Sequence, residues 1–303
     1  MSVQELDVLL GLLRTSGLDL AAPPPQARAN FEAMLAAIPI PEDVSFEAAT
    51  LGGVPALWSM TPGAGKNRVL LYLHGGGYVI GSTQGYRPLF SAVARAAGAR
   101  GVALEYRLAP EHPFPAAVND AVAGYRALLK QGMAPGSIAV AGDSAGGGLT
   151  VAMLVAARDE GLPMPAAAVA ISPWVDLEGT GESLATKLAE DPILTREGLL
   201  NSANQYLNGA SPRTALASPI YADLAGLPPL LIQVGSAEVL LDDANRLAAR
   251  AGAAGVATQL EIWPRMPHVW HANSFMLSEG RDAIAGIGAF LAARFAERQE
   301  ASA

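Results

Sequence analysis

Gly142-Asp143-Ser144-Ala145-Gly146 fits the pattern G-x-S-x-G and stands between an apolar run, Ile138–Ala141, and a stretch rich in small residues. A strand that turns sharply into a helix around such a pentapeptide holds its serine in a strained backbone conformation with the hydroxyl exposed, and the flanking glycines relieve crowding. The chemistry on offer is nucleophilic, and a serine hydroxyl is a poor nucleophile until a base accepts its proton. The sequence supplies four histidines, His74, His112, His268 and His271. His74 opens a glycine run and His112 sits in a proline-rich turn, Tyr106–Pro113, so both read as structural. His268 follows the run Gln259–Trp263 in the loop Pro264–Pro267, at a strand end where sites of α/β proteins form. His271, three residues on, is expected to ride the next helix away from it. His268 is therefore the expected base.

The base needs an acid to fix its tautomer and stabilise its charge, and in this arrangement the chain order is serine, acid, histidine. The apolar run Leu230–Val234 ends in Gly235-Ser236-Ala237-Glu238, which puts Glu238 in a loop at the same sheet edge. Asp242 is the runner-up. Asp242 and Asp243 fall in the first turn of the following helix, where a carboxylate mostly complements the helix dipole. Asp143 adjoins the nucleophile on a tight turn and is expected to serve as a hydrogen-bonding support.

Upstream, Val69–Leu73 runs into His74-Gly75-Gly76-Gly77. Three glycines leave backbone N–H groups free to converge on a developing oxyanion, complemented by the N–H of Ala145. A dinucleotide-binding turn is the rival reading, but Ile80 stands where its third glycine is needed and no helix opening follows. His268-x-x-His271 lacks a third ligand and the glutamate of a zinc-protease helix, so no metal is expected there.

These residues must be carried by a sheet. The runs Ser45–Thr50 and Val54–Met60 flank Gly52-Gly53 and predict an antiparallel hairpin. Apolar runs then recur at Val69–Leu73, Gly101–Tyr106, Ile138–Ala141, Ala167–Ser172, Leu230–Val234 and Gln259–Trp263, alternating with helical patterns such as Ala116–Lys130, Ala145–Glu160 and Leu240–Gly252. That alternation predicts a mostly parallel sheet with helices on both faces. Two amphipathic helices precede it: one opened by a capping box of Ser2 and Glu5, the other striped by Phe31, Met34, Leu35 and Ile38. The stretch Glu178–Leu227 is too long for a crossover and predicts an insertion, with a helix over Thr195–Leu207.

The 303 residues are 51% hydrophobic and carry a net charge of −8, which fits one large-cored domain and argues against nucleic acid as a partner. With no cysteine, thiol nucleophiles, disulfides and thiolate metal sites are excluded. Mean hydropathy is +0.27, yet no run of about 18 apolar residues predicts a membrane span. The acidic start, with Glu5 and Asp7, does not read as a secretory signal, and a cytoplasmic protein is expected.

Together, His74-Gly75-Gly76-Gly77, Tyr106–Pro115 and Gly142–Gly147 resemble the hormone-sensitive-lipase family of α/β-hydrolases, in particular its bacterial family IV carboxylesterases. Most of 68–275 takes part, with the three motifs in the family's order. The resemblance implies an eight-stranded sheet, oxyanion donors from Gly76 and Gly77 with Ala145, Gly75 being a further candidate, and no cofactor. It also implies a helical cap built from residues 1–41 and from a second segment at about 178–227, over a catalytic domain of 42–303. Two departures stand out: Glu238-Val239-Leu240 replaces the family's usual aspartate-proline-leucine, and Val269-Trp270 follows the histidine where glycine is common. The expected function is hydrolysis of small to medium acyl esters by a Ser144–His268–Glu238 triad through an acyl-enzyme. An amide or acetyl-group hydrolase would use the same machinery, and a homodimer is compatible with the sequence. A non-catalytic small-molecule receptor of this fold would be expected to lose the base, which this chain keeps.

Overall fold

The computed structural model describes residues 3–300. The chain opens with α1 (Val3–Arg14) and α2 (Pro24–Ala36), followed by strands β1 (Ser45–Leu51), β2 (Val54–Met60) and β3 (Gly65–Leu73). Helix α3 (Arg87–Ala96), β4 (Ala99–Leu104), α4 (Ala116–Lys130), β5 (Ile138–Asp143), α5 (Ala145–Asp159) and β6 (Ala167–Ile171) come next. An insertion carries the short α6 (Ser183–Thr186) and α7 (Arg196–Leu207). The chain ends with β7 (Leu230–Gly235), α8 (Leu241–Ala253), β8 (Thr258–Trp263) and α9 (Ser278–Glu300).

The eight strands form one sheet in the order β1-β2-β4-β3-β5-β6-β7-β8. β1 and β2 form the expected antiparallel hairpin, β2 joins β4 antiparallel, and every later pairing is parallel. β5, β6 and β7 are buried along their whole length, because helices cover both faces. Helices α3 and α9 pack together on one face, and α4, α5 and α8 cover the other. Parallel strands all deliver their C-terminal ends to one edge, and the turns after β3, β5, β7 and β8 therefore meet there.

One expectation lies beyond the described residues and another changes near the C-terminus. Ser2 is outside the described residues, and so is the capping box expected between it and Glu5. The Glu5 carboxylate accepts from the backbone N–H and hydroxyl of Ser278 at 3.0 and 2.9 Å, tying α1 to the start of α9. His271 does not ride a helix away from the site. It sits fully buried in a 3₁₀ turn, Trp270–Asn273, bonded through Nε2 to Gln233 Oε1 at 2.7 Å.

Candidate active site

Ser144 sits between β5 and α5 at φ 54°, ψ −121°, a backbone conformation that a non-glycine residue holds only when its surroundings impose it. The surroundings here are tight. A Cβ on Gly142 would run into the carbonyl of Gly146, and one on Gly146 into the carbonyls of Leu73 and His74. Only glycines let the β3 and β5 turns approach this closely, and the result aims the serine into a pocket at the sheet edge.

His268 lines the same pocket and is 7% exposed, as is Ser144. Its Nδ1 lies 2.7 Å from Glu238 Oε2. A buried carboxylate is acceptor-only, so Nδ1 carries the proton and Nε2 keeps its lone pair. Glu238 is fully buried, and its second oxygen, Oε1, accepts from Ser172 Oγ at 2.8 Å and from the Gly235 N–H at 2.6 Å. Ser172 Oγ in turn accepts from the Val269 N–H at 3.2 Å, so one hydroxyl spans the carboxylate and the histidine loop. Burial works against the charged form of His268, but the hydrogen bond and charge of Glu238, with the charges of Asp191 and Asp143, outweigh it. The ring's pKa is raised above its ordinary 6.5.

The aspartates fall elsewhere. Asp242 accepts from the Ser183 N–H at 2.7 Å, and the buried Asp243 accepts from the N–H groups of Val175 and Asp176 at 2.9 and 3.0 Å. Asp242 fastens the insertion to α8 and Asp243 the chain leading into it, rather than facing His268. Asp143 points behind the nucleophile, where it accepts from Tyr72 and Tyr86 hydroxyls and from the Gly75 N–H at 2.8, 2.9 and 3.1 Å. Burial pushes its pKa up to about 6 against those three bonds. The Gly75 N–H is thus already engaged and is not free for an oxyanion.

The next two glycines differ. The carbonyl of Gly75 accepts from His74 Nδ1 at 2.7 Å, and that of Gly76 accepts from the N–H groups of Val79 and Ile80 at 3.0 and 2.9 Å. In a planar trans peptide a carbonyl held on one side sends the following N–H to the other, which orients the N–H groups of Gly76 and Gly77. Both residues line the pocket. Neither N–H, nor that of Ala145 at the first turn of α5, has an acceptor among the described residues. His74 itself is buried, stacked on Tyr106 at 4.3 Å between ring centres, and burial holds its pKa below the usual value, so it stays neutral. His112 is exposed on the surface turn.

Among the described residues, no group of three or more histidine, aspartate or glutamate side chains is placed to hold a metal, and no helix is long and apolar enough to cross a membrane. The pocket holds a cavity of about 110 Å³. Its apolar wall comes from outside the sheet: Leu13, Phe31, Met34, Leu35 and Ile38 from the N-terminal helices and their flanks, and Ile193 and Leu194 from the insertion. Sequence reasoning missed Ser172 and Asp191. The only sequence signal for Ser172 was a lone hydroxyl closing an apolar strand at the active edge.

Residues 70–272 match a family model described as the alpha/beta hydrolase fold. An acetyl-hydrolase of Streptomyces hygroscopicus is 55% identical over 242 residues, 80% of this chain and 81% of its own. An esterase of Acinetobacter venetianus is 34% identical over 228 residues, 75% of each chain. The crystal structure of an esterase from the bacterial hormone-sensitive lipase family superposes with a TM-score of 0.95 at 51% identity, covering 97% of this chain and 99% of that one. The chain belongs to the alpha/beta hydrolase fold family and, within it, to the bacterial hormone-sensitive lipase group. It is an ester hydrolase, which leaves the non-catalytic receptor reading without support.

Proposed function

We propose that the protein is a carboxylic-ester hydrolase that works through an acyl-enzyme on Ser144, with His268 as base and Glu238 as its acid partner. The observation that carries this reading is the chain of contacts from Ser172 and Gly235 through Glu238 to His268 Nδ1, in a pocket that also holds Ser144. Ser144 Oγ attacks the ester carbonyl while its proton passes to His268 Nε2. The carbonyl oxygen takes up the displaced electron pair against the N–H groups of Gly76, Gly77 and Ala145. Collapse of this adduct breaks the bond to the alcohol oxygen, and His268 returns the proton to it. Water then attacks the acyl-serine with His268 again as base, releasing the acid and restoring Ser144.

Residues 1–41 and about 178–227 act in this reading as one cap over the catalytic domain of 42–303. Their apolar side chains supply a dry wall for a small to medium acyl group, strengthening the electrostatics of the site by excluding water. The Streptomyces relative, named an acetyl-hydrolase, favours acetyl among the accepted groups and keeps acetamide cleavage as a second reading on the same residues. The test is a series of aryl esters from acetyl to hexanoyl with one matched acetanilide, run beside fluorophosphonate labelling read by peptide mass. Ester turnover and a single label on Ser144 are expected. A label on another residue, or acetanilide turned over faster than the acetyl ester, would overturn the proposal.

A further inference from the structure

Arg28 reaches from α2 across to the loop that follows His74. Its Nε donates to the carbonyl of Val79 at 2.9 Å, and its Nη2 donates to the carbonyl of Ala109 at 2.9 Å. The same guanidinium makes a two-pronged contact with Glu111, Nη1 to Oε1 at 2.8 Å and Nη2 to Oε2 at 2.6 Å. Ala109 is itself joined to the loop, because its N–H donates to the carbonyl of Tyr78 at 2.9 Å. The carbonyls of Gly76, Tyr78 and Val79 thus all have donors. The loop between them passes through Gly77 and Tyr78, both at positive φ. Its first carbonyl is closed locally by the Val79 and Ile80 N–H groups, but those of Tyr78 and Val79 are held only from outside, by Ala109 and Arg28.

A plain surface ion pair does not account for this arrangement. The Arg28 and Glu111 side chains are 30% and 55% exposed, a setting in which a salt bridge contributes little to stability. What the guanidinium adds is geometry, since its planar fork holds two backbone carbonyls and one carboxylate at fixed angles that an ammonium cannot reproduce. Glu111 remains ionised well into acid, because the hydrogen bond from Arg28 draws its pKa down to about 2.

We propose that Arg28 is a positioning residue of the esterase reaction: it locks the loop Gly76–Ile80 against α2, so that the N–H groups of Gly76 and Gly77 point at the oxyanion only while the N-terminal helices are seated. The proposal rests on the oxyanion role assigned above to those two groups. Seating of the cap and formation of the oxyanion site then become a single event. A purely structural Arg28 would have a different signature, since loosened helices weaken the apolar wall and penalise long acyl chains through KM.

The experiment compares wild type, Arg28→Met, Arg28→Lys and Glu111→Gln by kcat and KM on acetyl and hexanoyl aryl esters. It adds inhibition by a trifluoromethyl alkyl ketone, whose adduct with Ser144 carries the oxyanion, and by the matching methyl ketone. Losing a whole oxyanion donor costs ~10²–10³ in kcat, so misaiming two donors without removing them should cost about tenfold. Arg28→Met should show that loss in kcat, equally for both esters and with KM nearly unchanged, and a matching drop in the trifluoromethyl-to-methyl affinity ratio. Arg28→Lys should recover part of it, and Glu111→Gln should lose less than Arg28→Met. A loss confined to hexanoyl or to KM, or an unchanged ketone ratio in Arg28→Met, overturns the proposal. If wild type itself binds the trifluoromethyl ketone no more tightly than the methyl ketone, the oxyanion reading fails and takes the proposal with it.

Discussion

Replacing Glu238 by glutamine is a substitution whose outcome the structure determines atom by atom. The two carboxylate oxygens face different partners. Oε1 receives two donors, Ser172 Oγ–H at 2.8 Å and the Gly235 N–H at 2.6 Å, while Oε2 faces His268 Nδ1 at 2.7 Å. A glutamine has one acceptor oxygen and one donor amide. Putting the amide toward Ser172 and Gly235 would set donor against donor at the Gly235 N–H, which can only donate. The glutamine oxygen therefore takes the Oε1 place and its NH₂ is driven against His268 Nδ1, which must give up its proton and become an acceptor. The ring then carries its hydrogen on Nε2 and cannot accept from Ser144. A triad locked in the wrong tautomer loses about 10⁴ in kcat, which is roughly 5.5 kcal/mol of barrier. The assay is kcat/KM on an aryl acetate across pH, with circular dichroism to show the fold intact and ¹⁵N NMR of the ring to read the tautomer. The surviving activity should titrate at lower pH than in wild type. Burial still opposes the charged ring, while the Glu238 bond and charge that raised it are gone. Activity within tenfold of wild type would refute the assignment of Glu238, and a larger loss in Asp242→Asn would transfer the role to Asp242.

The other expectations are simpler. Ser144→Ala should cost roughly a millionfold in kcat with the fold unchanged, and survival of more than a few per cent of ester turnover would remove Ser144 from the mechanism. In wild type, kcat/KM should rise with pH through a midpoint above 6.5: only the neutral His268 accepts a proton, and its surroundings favour the charged form, so deprotonation needs a higher pH. His271→Ala should leave that midpoint in place, because burial and the neighbouring His268 charge push the His271 pKa down to about 3 and keep it neutral throughout. Its effect should appear instead as a lower melting temperature, since Gln233 Oε1 loses its donor in a buried site. Leu35→Ala should lower the hexanoyl-to-acetyl ratio of kcat/KM by about fourfold for each methylene left unburied, and an unchanged ratio would show that this wall does not hold the acyl chain.

Much of the fold was legible because the sheet announces itself locally. The apolar runs marking β3 to β8 fall within a few residues of the observed strands, and the helix beginning at Arg196 is opened by Thr195, whose hydroxyl accepts from the Gly198 N–H as an N-cap should. Two helices are harder to read from the sequence. Pro88 gives α3 the look of a broken segment, yet it stands at the second helical position, where its missing N–H costs nothing. In α9, Gly280, Gly286 and Gly288 interrupt the apolar pattern. Gly288 is there for packing, since a Cβ at that position would meet the carbonyl of Ala96 at the end of α3. A residue that reads as a helix breaker in one dimension is thus a contact point between helices in three.

The site divides along the same line. The order serine, acid, histidine and the placement of each after a strand put Ser144, Glu238 and His268 within reach of sequence reasoning, because a parallel sheet collects strand ends at one edge whatever the loops between them do. The residues that hold this set in place were out of reach, because each meets its partner from far along the chain. Ser172 bonds Glu238 across 66 positions, Asp191 bonds the Val239 N–H across 48, and Arg28 reaches Glu111 across 83. Asp191 illustrates the consequence. It leaves the insertion to accept from the N–H beside Glu238 at 3.0 Å and adds its charge to those favouring protonated His268. Burial raises its own pKa, so that support weakens as the pH falls. In the proposed mechanism topology sets the reacting groups, and contacts from the insertion and the N-terminal helices add to the charge favouring protonated His268 and to the grip on the glycine loop, from segments that carry no reacting atom themselves.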